Sequence, residues 1–343
     1  MTATSIGNLA DLARIAGVST STVSRALADS PLISEKTRTR IADLAREHGF
    51  QLNQVARNLR LGRTQAIAVV LPLGDESAQH VSDPFIMTLL GFLADALTER
   101  GYDLLLTRIV PSDDQWLDRL TISGRVDGVI VIGQSDQRAV LDRTAARYLP
   151  LVVWGEAGIG APNGAMGAQH CAIGTDNREG GRLATAHLLA QGRRRIAFIG
   201  NPAAPEIGAR HAGYLAALAD ANLYAEPALL LPLQLGSEAA FGLTRDFLAT
   251  HPEIDGIVAA SDVAAMGAIR ALSEAGRAVP EAVAVVGYDD VPFAAHTTPP
   301  LTTIRQDLSK GADLLVTAPY ERMAGHATPS EAFAPELVLR ASA

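Results

Sequence analysis

Two hydrophobic periods divide this chain. From Leu9 to His48 apolar positions recur at helical spacing; beyond Arg63 short continuous apolar runs alternate with longer amphipathic stretches. Residues 9–27 read as two short helices joined by a glycine turn. Ala13 is small where the helices must cross, Gly17 sits where the turn needs a positive φ, and Val23 is placed to face Ala13 from the second helix. Ser19 is the expected N-cap of that second helix. A third helix is predicted from Ser34 to about His48, with Ile41, Leu44, Ala45 and His48 on one side, Ser34 as N-cap and Gly49 as its stop.

The second of these helices carries small hydroxyl residues and Arg25. This is the layout of a helix-turn-helix, whose second helix enters a DNA major groove. Taken alone, the segment also fits an ordinary helical hairpin.

Past Arg63 the predicted strands are Ala66–Leu71, Asp103–Thr107, Gly128–Ile132, Leu151–Trp154, Arg195–Ile199, Gly256–Ala260 and Val283–Tyr288. Their unbroken apolar character is that of parallel strands covered on both faces. Amphipathic helices are predicted between them, at Phe85–Arg100, Arg178–Gln191, Ala209–Ala221, Ala239–Thr250 and Ala264–Ala275. The alternation predicts a doubly wound α/β architecture, and the chain is long enough for two such lobes. Ligands in these folds sit at the carboxyl ends of the strands, so the cleft between two lobes is the expected site.

Composition and charge sharpen this picture. With 343 residues and 48% hydrophobic content the chain can fill two or three cores. Met1 to Arg63 holds nine Lys/Arg against five acids, or +4; the whole chain is −8, so the remainder carries −12. A basic head on an acidic body concentrates phosphate affinity at one end. The single cysteine, Cys171, excludes an intrachain disulfide and suits a reducing cytosol. The N-terminus lacks the pattern of a secretory signal, and apolar runs such as Ile67–Leu73 and Leu149–Trp154 are too short to span a bilayer. A cytoplasmic protein without a membrane partner is expected.

Enzyme signatures are weak. Gly158-Ile-Gly160 is followed by Gly164, one residue late for a dinucleotide fingerprint, and no P-loop or nucleophile elbow is present. The eight histidines show no metal-ligand spacing. No catalysis, cofactor or metal is expected.

In order along the chain, AGVSTSTVSRAL, SEKTR, NQVARNL, TDN, RRIAFIG, SDVAAMGA, VPEAVAVVGYDD and PPLTTIRQD resemble the LacI/GalR family of transcriptional regulators, from about Asn8 to Arg340. The resemblance implies an all-α helix-turn-helix headpiece (residues 1–50), a hinge helix or linker (51–63) and a two-lobed α/β core like a periplasmic sugar-binding protein. It divides that core into an N-terminal lobe of residues 64–174 and 305–328 and a C-terminal lobe of residues 175–304 and 329–343. It also implies a homodimer on a pseudo-palindromic operator, and a repressor is expected. The absence of a terminal leucine heptad favours a dimer over a tetramer.

Asn53 to Leu61 reads as a helix of barely two turns, unstable alone because nucleation costs more than so few hydrogen bonds return. Asn53, Val55, Ala56 and Leu59 match the family's register. There Leu59 corresponds to the minor-groove wedge, Val55 and Ala56 to the packing between two hinges, and Arg57 and Arg60 are placed to approach the groove or its phosphates. In the headpiece Thr20, Ser21 and Arg25 correspond to base-reading positions; Thr22, Ser24 and Lys36 are better candidates for phosphate contacts. Ala28 replaces a common asparagine and Leu52 a usual proline, so operator rules do not transfer directly.

Effector-binding candidates are Arg210 and Asp289 first. Arg210 lies on the predicted first turn of a helix, with a fork of donors suited to hydroxyls or a carboxylate; Asp289 lies at a strand's C-terminal end. Ser261 and Asp262 end another strand. Phe85 and Ile86 match the family's pocket-roof positions, Trp154 is a second aromatic platform or simply core, Phe293 is a further candidate, and Gln306 lies near the lobe crossover. Asp176 and Asn177 read as helix caps rather than ligand contacts. Sugars, nucleosides and phosphosugars all fit an Arg and an Asp. A pure sugar-binding protein and a doubly wound enzyme remain the alternative classes.

Overall fold

The computed structural model describes residues 8–27, 29–50, 63–72, 81–111, 113–134, 137–156, 170–233 and 236–343. The expected hinge residues Asn53, Val55, Ala56, Arg57, Leu59 and Arg60 lie outside them, as do Ala28, Leu52, Gly158, Gly160 and Gly164. The chain divides into two units, Met1–Thr64 and Gln65–Ala343.

The first unit has α1 (Leu9–Ala16), α2 (Thr20–Leu27) and α3 (Glu35–Glu47). Leu12, Ala13, Ala16, Val23, Ala26, Ile41 and Ala45 close a miniature core, so Ala13 and Val23 face each other as the spacing predicts. Gly17 ends α1 at φ 65, and the Val18 amide returns to the Ala13 carbonyl. Asn8 caps α1 by accepting from the Asp11 amide, and Ser19 Oγ caps α2 by accepting from the Thr22 amide at 3.1 Å. Ser34 departs from expectation: it occupies the cap position of α3, but its side chain makes no cap hydrogen bond, the hydroxyl instead meeting that of Thr37 at 2.9 Å. Gly49, at φ 63, closes α3.

The second unit runs β1 (Ala66–Pro72), α4 (Pro84–Glu99), β2 (Asp103–Ile109), α5 (Trp116–Thr121), β3 (Gly128–Ile132), α6 (Arg138–Ala145), β4 (Leu151–Trp154) and β5 (Cys171–Thr175). It continues through α7 (Asn177–Ala190), β6 (Ile196–Ile199), α8 (Pro205–Asp220), β7 (Leu230–Leu231), α9 (Ser237–Thr250), β8 (Gly256–Ala259), α10 (Asp262–Glu274), β9 (Ala284–Asp289) and β10 (Thr302–Arg305). It ends with α11 (Leu308–Met323), β11 (Glu331–Phe333) and β12 (Glu336–Val338).

Two six-stranded sheets result, ordered β11-β5-β4-β3-β1-β2 and β12-β10-β9-β8-β6-β7. Among the described residues only β12 is antiparallel, against β10. Each sheet reverses its winding once, between β1 and β3 and between β6 and β8, which places a crevice at the carboxyl ends of those strands. The chain passes between lobes at residues 175–177, 305–308 and 333–336, so the third crossing falls later than expected. Glu331–Phe333 pairs with β5 of the first sheet, and only from Glu336 does the tail join the second.

β2 is not covered on both faces. Among the described residues it is an edge strand of its sheet, with Leu106 exposed on it and Val110 exposed just past its end. β5, β7, β10, β11 and β12 went unpredicted because they are short, or contain polar residues whose partners lie far along the chain. Thr302 and Thr303 are fully buried in β10; the Thr302 amide donates to Ser342 Oγ at 2.8 Å and Thr303 Oγ1 donates to Asp262 Oδ1 at 2.5 Å.

Candidate nucleic-acid interface and effector cleft

On the first unit, Val23 and Ala26 turn the inner side of α2 into the small core, which leaves Thr20, Ser21 and Arg25 exposed and Thr22 and Ser24 partly so. Lys36 is exposed in the first turn of α3. The Ser19 hydroxyl lies 2.9 Å from that of Ser21 and 2.8 Å from that of Thr22, so capping and presentation are joined. Two of the basic residues are structural: Arg40 donates to the Ala16 carbonyl at 2.9 Å, and Arg38 donates to the Ser30 and Ile33 carbonyls. The exposed side of α2 therefore offers hydroxyls and one guanidinium to a polar surface.

On the second unit the carboxyl ends of both sheets supply one polar network. α7 and α8 pack backbone to backbone because Gly181 and Gly213 lack side chains: a Cβ at Gly181 would strike the Arg210 carbonyl, and one at Gly213 the Arg178 carbonyl. That contact brings Arg210 on α8 to Asn177, the first residue of α7. Arg210 Nε donates to Asn177 Oδ1 at 2.9 Å, and Nη1 donates to the Ala260 carbonyl beyond β8. Its Cζ lies 3.6 Å from the centroid of the Tyr288 ring, and Nη1 lies 3.8 Å from Asp289 Oδ1. Gln306, on the second crossing, donates from Nε2 to the same Asp289 oxygen at 2.8 Å. Asn177 Nδ2 donates to Glu156 Oε2 at 3.2 Å, which ties the network to the end of β4.

Asp289 is held in a strained backbone. Its φ is 112 and that of Asp290 is 53, two successive non-glycine residues in a region that favours glycine. Asp290 is clamped by Arg305 Nε at 2.7 Å and Arg340 Nη2 at 2.6 Å, and those bonds hold the turn. Burial pushes the Asp289 carboxyl well above its usual pKa; Arg210 opposes this, while the charges of Asp262 and Asp83 add to it.

The remaining candidates divide. Phe85 packs against the cores of both lobes, directly at their meeting, and Ile86 lies beneath it in the first core. Asp83 Oδ1 accepts from the Phe85 amide at 2.9 Å and fixes that turn. Trp154 is core rather than a ligand platform: it is buried against Gly311 and Phe333 and supports Phe85, with ring centroids 6.0 Å apart. Ser261 Oγ is taken up in capping α10. Asp262 is fully buried with both oxygens occupied, by Thr303 Oγ1 and by the Val291 amide, and burial raises its pKa to about 7. It is a structural brace, not a ligand contact. Phe293 is 63% exposed on a 3-10 turn and belongs to neither core of its lobe.

Three residues escaped sequence reasoning. Asn177 is a member of the Arg210 network, while Asp176 alone caps α7 through the Glu179 amide. α8 begins at Pro205, four residues before its predicted start, so Arg210 lies in its second turn and Glu206 one turn ahead on the same side. Gln134, just past β3, donates its amide to Glu206 Oε1 at 3.3 Å across the lobes. Its side chain is locked: Nε2 donates to the Glu156 carbonyl at 2.8 Å and lies 3.1 Å from His170 Nε2. His170 Nδ1 lies 2.6 Å from Asp142 Oδ1; because Gln134 Nε2 can only donate, His170 Nε2 is the acceptor there, and burial lowers the pKa of the ring. The signal for Gln134 was its place after a strand at the winding reversal.

A helix-turn-helix unit joined to two doubly wound lobes that meet at a polar cleft defines a ligand-responsive DNA-binding regulator. Residues 8–53 match the model of the lacI family of bacterial regulatory proteins, and residues 185–343 that of the periplasmic binding protein-like domain. The HTH-type transcriptional regulator CelR of Thermobifida fusca is 31% identical over 92% of each chain. The HTH-type transcriptional repressor PurR of Actinobacillus pleuropneumoniae is 29% identical over 98% of each. The solved CelR–cellobiose complex shares 29% identity with a TM-score of 0.71, covering 98% of this chain and 100% of that one. The Lac repressor dimer bound to operator and the anti-inducer ONPF has the same fold, with a TM-score of 0.82 at 24% identity and 98% coverage of both chains. The chain belongs to the lacI family and is a DNA-binding transcriptional regulator.

Proposed function

We propose that this regulator is a cytoplasmic homodimeric repressor whose operator affinity is set by a sugar-like effector bound between its two α/β lobes. The observation that carries this is the Arg210–Asp289–Gln306–Asn177 network. It joins two interlobe crossings to the end of β9, so a ligand held there bears directly on how the lobes meet. Arg210 and Asp289 supply donors and acceptors for adjacent hydroxyls, and Phe85 supplies an apolar face for a sugar ring.

In this reading Thr20, Ser21 and Arg25 read bases, Thr22, Ser24 and Lys36 hold phosphates, and residues 51–63 form the conditional hinge with Leu59 as its wedge. Residues 1–50 form the headpiece. The N-terminal lobe comprises residues 64–174 and 305–333, and the C-terminal lobe residues 175–304 and 336–343. Ligand shifts the equilibrium between two lobe arrangements, and the hinges lose their mutual packing in one of them. The chain senses its ligand rather than transforming it. A sugar-binding protein without a DNA role leaves the exposed polar side of α2 unexplained.

Cellobiose, the ligand in the related complex, heads a panel of mono- and disaccharides for thermal-shift measurement. A sugar that raises the melting temperature of the wild type, but not of Arg210→Met, supports the reading. A sugar that stabilises both equally contradicts it.

A further inference from the structure

Building on the effector reading, we infer that Glu206 makes the cleft select ligands without negative charge, hydroxyl-rich or amine-bearing compounds in place of phosphorylated or carboxylated ones. Arg210 by itself would invite an anion. The structure shows that guanidinium already engaged: Nε donates to Asn177, Nη1 donates to the Ala260 carbonyl, Tyr288 covers a face, and Asp289 lies 3.8 Å away. Glu206 adds a second carboxylate one helical turn ahead of Arg210 on the same helix.

Glu206 also spans the gap between lobes. It belongs to α8 of the second lobe, yet its Oε1 accepts from the Gln134 amide of the first. Room for it exists because residue 155 is glycine: a Cβ there would lie 3.0 Å from Glu206 Oε1 and 2.7 Å from Gln134 Cγ. Gln134 is itself anchored, its side chain bonding the Glu156 carbonyl and His170, and His170 in turn meeting Asp142, so the amide that meets Glu206 belongs to a fixed residue. Its pKa is raised, chiefly by burial, against the pull of Arg210.

The consequence for a ligand follows from charge. A phosphate or carboxylate drawn to Arg210 comes up against Asp289 and Glu206, each of which interacts with that guanidinium, and its binding is opposed wherever either carboxyl is ionised. A hydroxyl or an ammonium donates to them and favours their ionised form. Acceptor-rich walls around one neutralised guanidinium therefore discriminate by sign.

Calorimetry on the full chain with inorganic phosphate, glucose 6-phosphate, glucose and cellobiose tests this, on wild type, Glu206→Gln and Glu206→Gln/Arg210→Met. Glu206→Ser serves as a second variant, and each must unfold thermally as wild type does. The expected result is no saturable phosphate binding by wild type and binding about tenfold tighter or more by Glu206→Gln, lost again with Arg210→Met. Equal phosphate binding by wild type and variant, or no gain in either Glu206 variant, overturns the inference. If glucose 6-phosphate binds wild type through Arg210, the inference fails and the effector site stands. If Glu206→Gln gains phosphate while no sugar binds wild type, charge selection stands and the sugar reading fails.

Discussion

Asp289 combines more unusual features than any other side chain of the cleft: a backbone angle of φ 112, burial, a raised pKa, and contacts to both Arg210 and Gln306. A residue held so at energetic cost is a candidate for function. Asp289→Ala is expected to abolish the effector response while changing DNA affinity little, because the first unit contains none of these contacts. An unchanged effector midpoint in a DNA-binding titration would refute this. Asp262, in contrast, is a structural acid. Its folded pKa of about 7 exceeds the ordinary 3.8, so the native chain keeps a proton that the unfolded chain releases. Stability therefore falls as pH rises from about 4 to about 7 and is flat above. Asp262→Asn removes this titration, and its stability relative to wild type should improve across that window by no more than about 4 kcal/mol. Urea unfolding at both ends of the window checks it; a pH-independent difference counts against it. At this scale Arg210 and Asp289 were legible, because position on a helix or at a strand end is written in hydrophobic pattern. Glu206 was not, since Pro205 begins the helix earlier than its apolar residues suggest.

Elements followed the same logic. Unbroken apolar runs gave β1, β3, β4, β6, β8 and β9; the first two helices fall within residues 9–27 as expected, and α3 lies within one residue of its expected ends. β10, β11 and β12 did not, since their stability comes from pairings across the chain, such as Thr303 with Asp262 and Arg305 with Glu336. That loss displaced the last lobe crossing. In the proposed reading, control of DNA affinity turns on residues 53–61, which lie outside the described residues. Its short apolar register leads to the expectation that Leu59→Ala weakens binding to a selected operator by at least about tenfold, yet barely alters binding to random duplex. Fluorescence titrations on both DNAs measure it, and equal losses would remove the wedge from the account.

For the whole molecule, an exposed edge strand and an apolar helix face lie on the first lobe: Leu106 on β2 with Val110 just past its end, and Met87 and Phe92 on α4. Such a surface calls for a partner, and in the proposed reading that partner is a second copy, which would also serve the proposed hinge pairing and a two-fold operator. Sedimentation should give a dimer for wild type and a monomer for Leu106→Lys, with operator affinity lost alongside; a tetramer, or a variant that stays dimeric, would count against this arrangement. The central claim is that cleft and DNA affinity are coupled, and it is tested most directly on an operator selected from randomised duplex. Affinity is measured with and without the sugar that stabilises the protein, in wild type and in Asp289→Ala. A change of about tenfold or more in wild type, absent in the variant, is the predicted result. Equal affinities with and without sugar in wild type would contradict it.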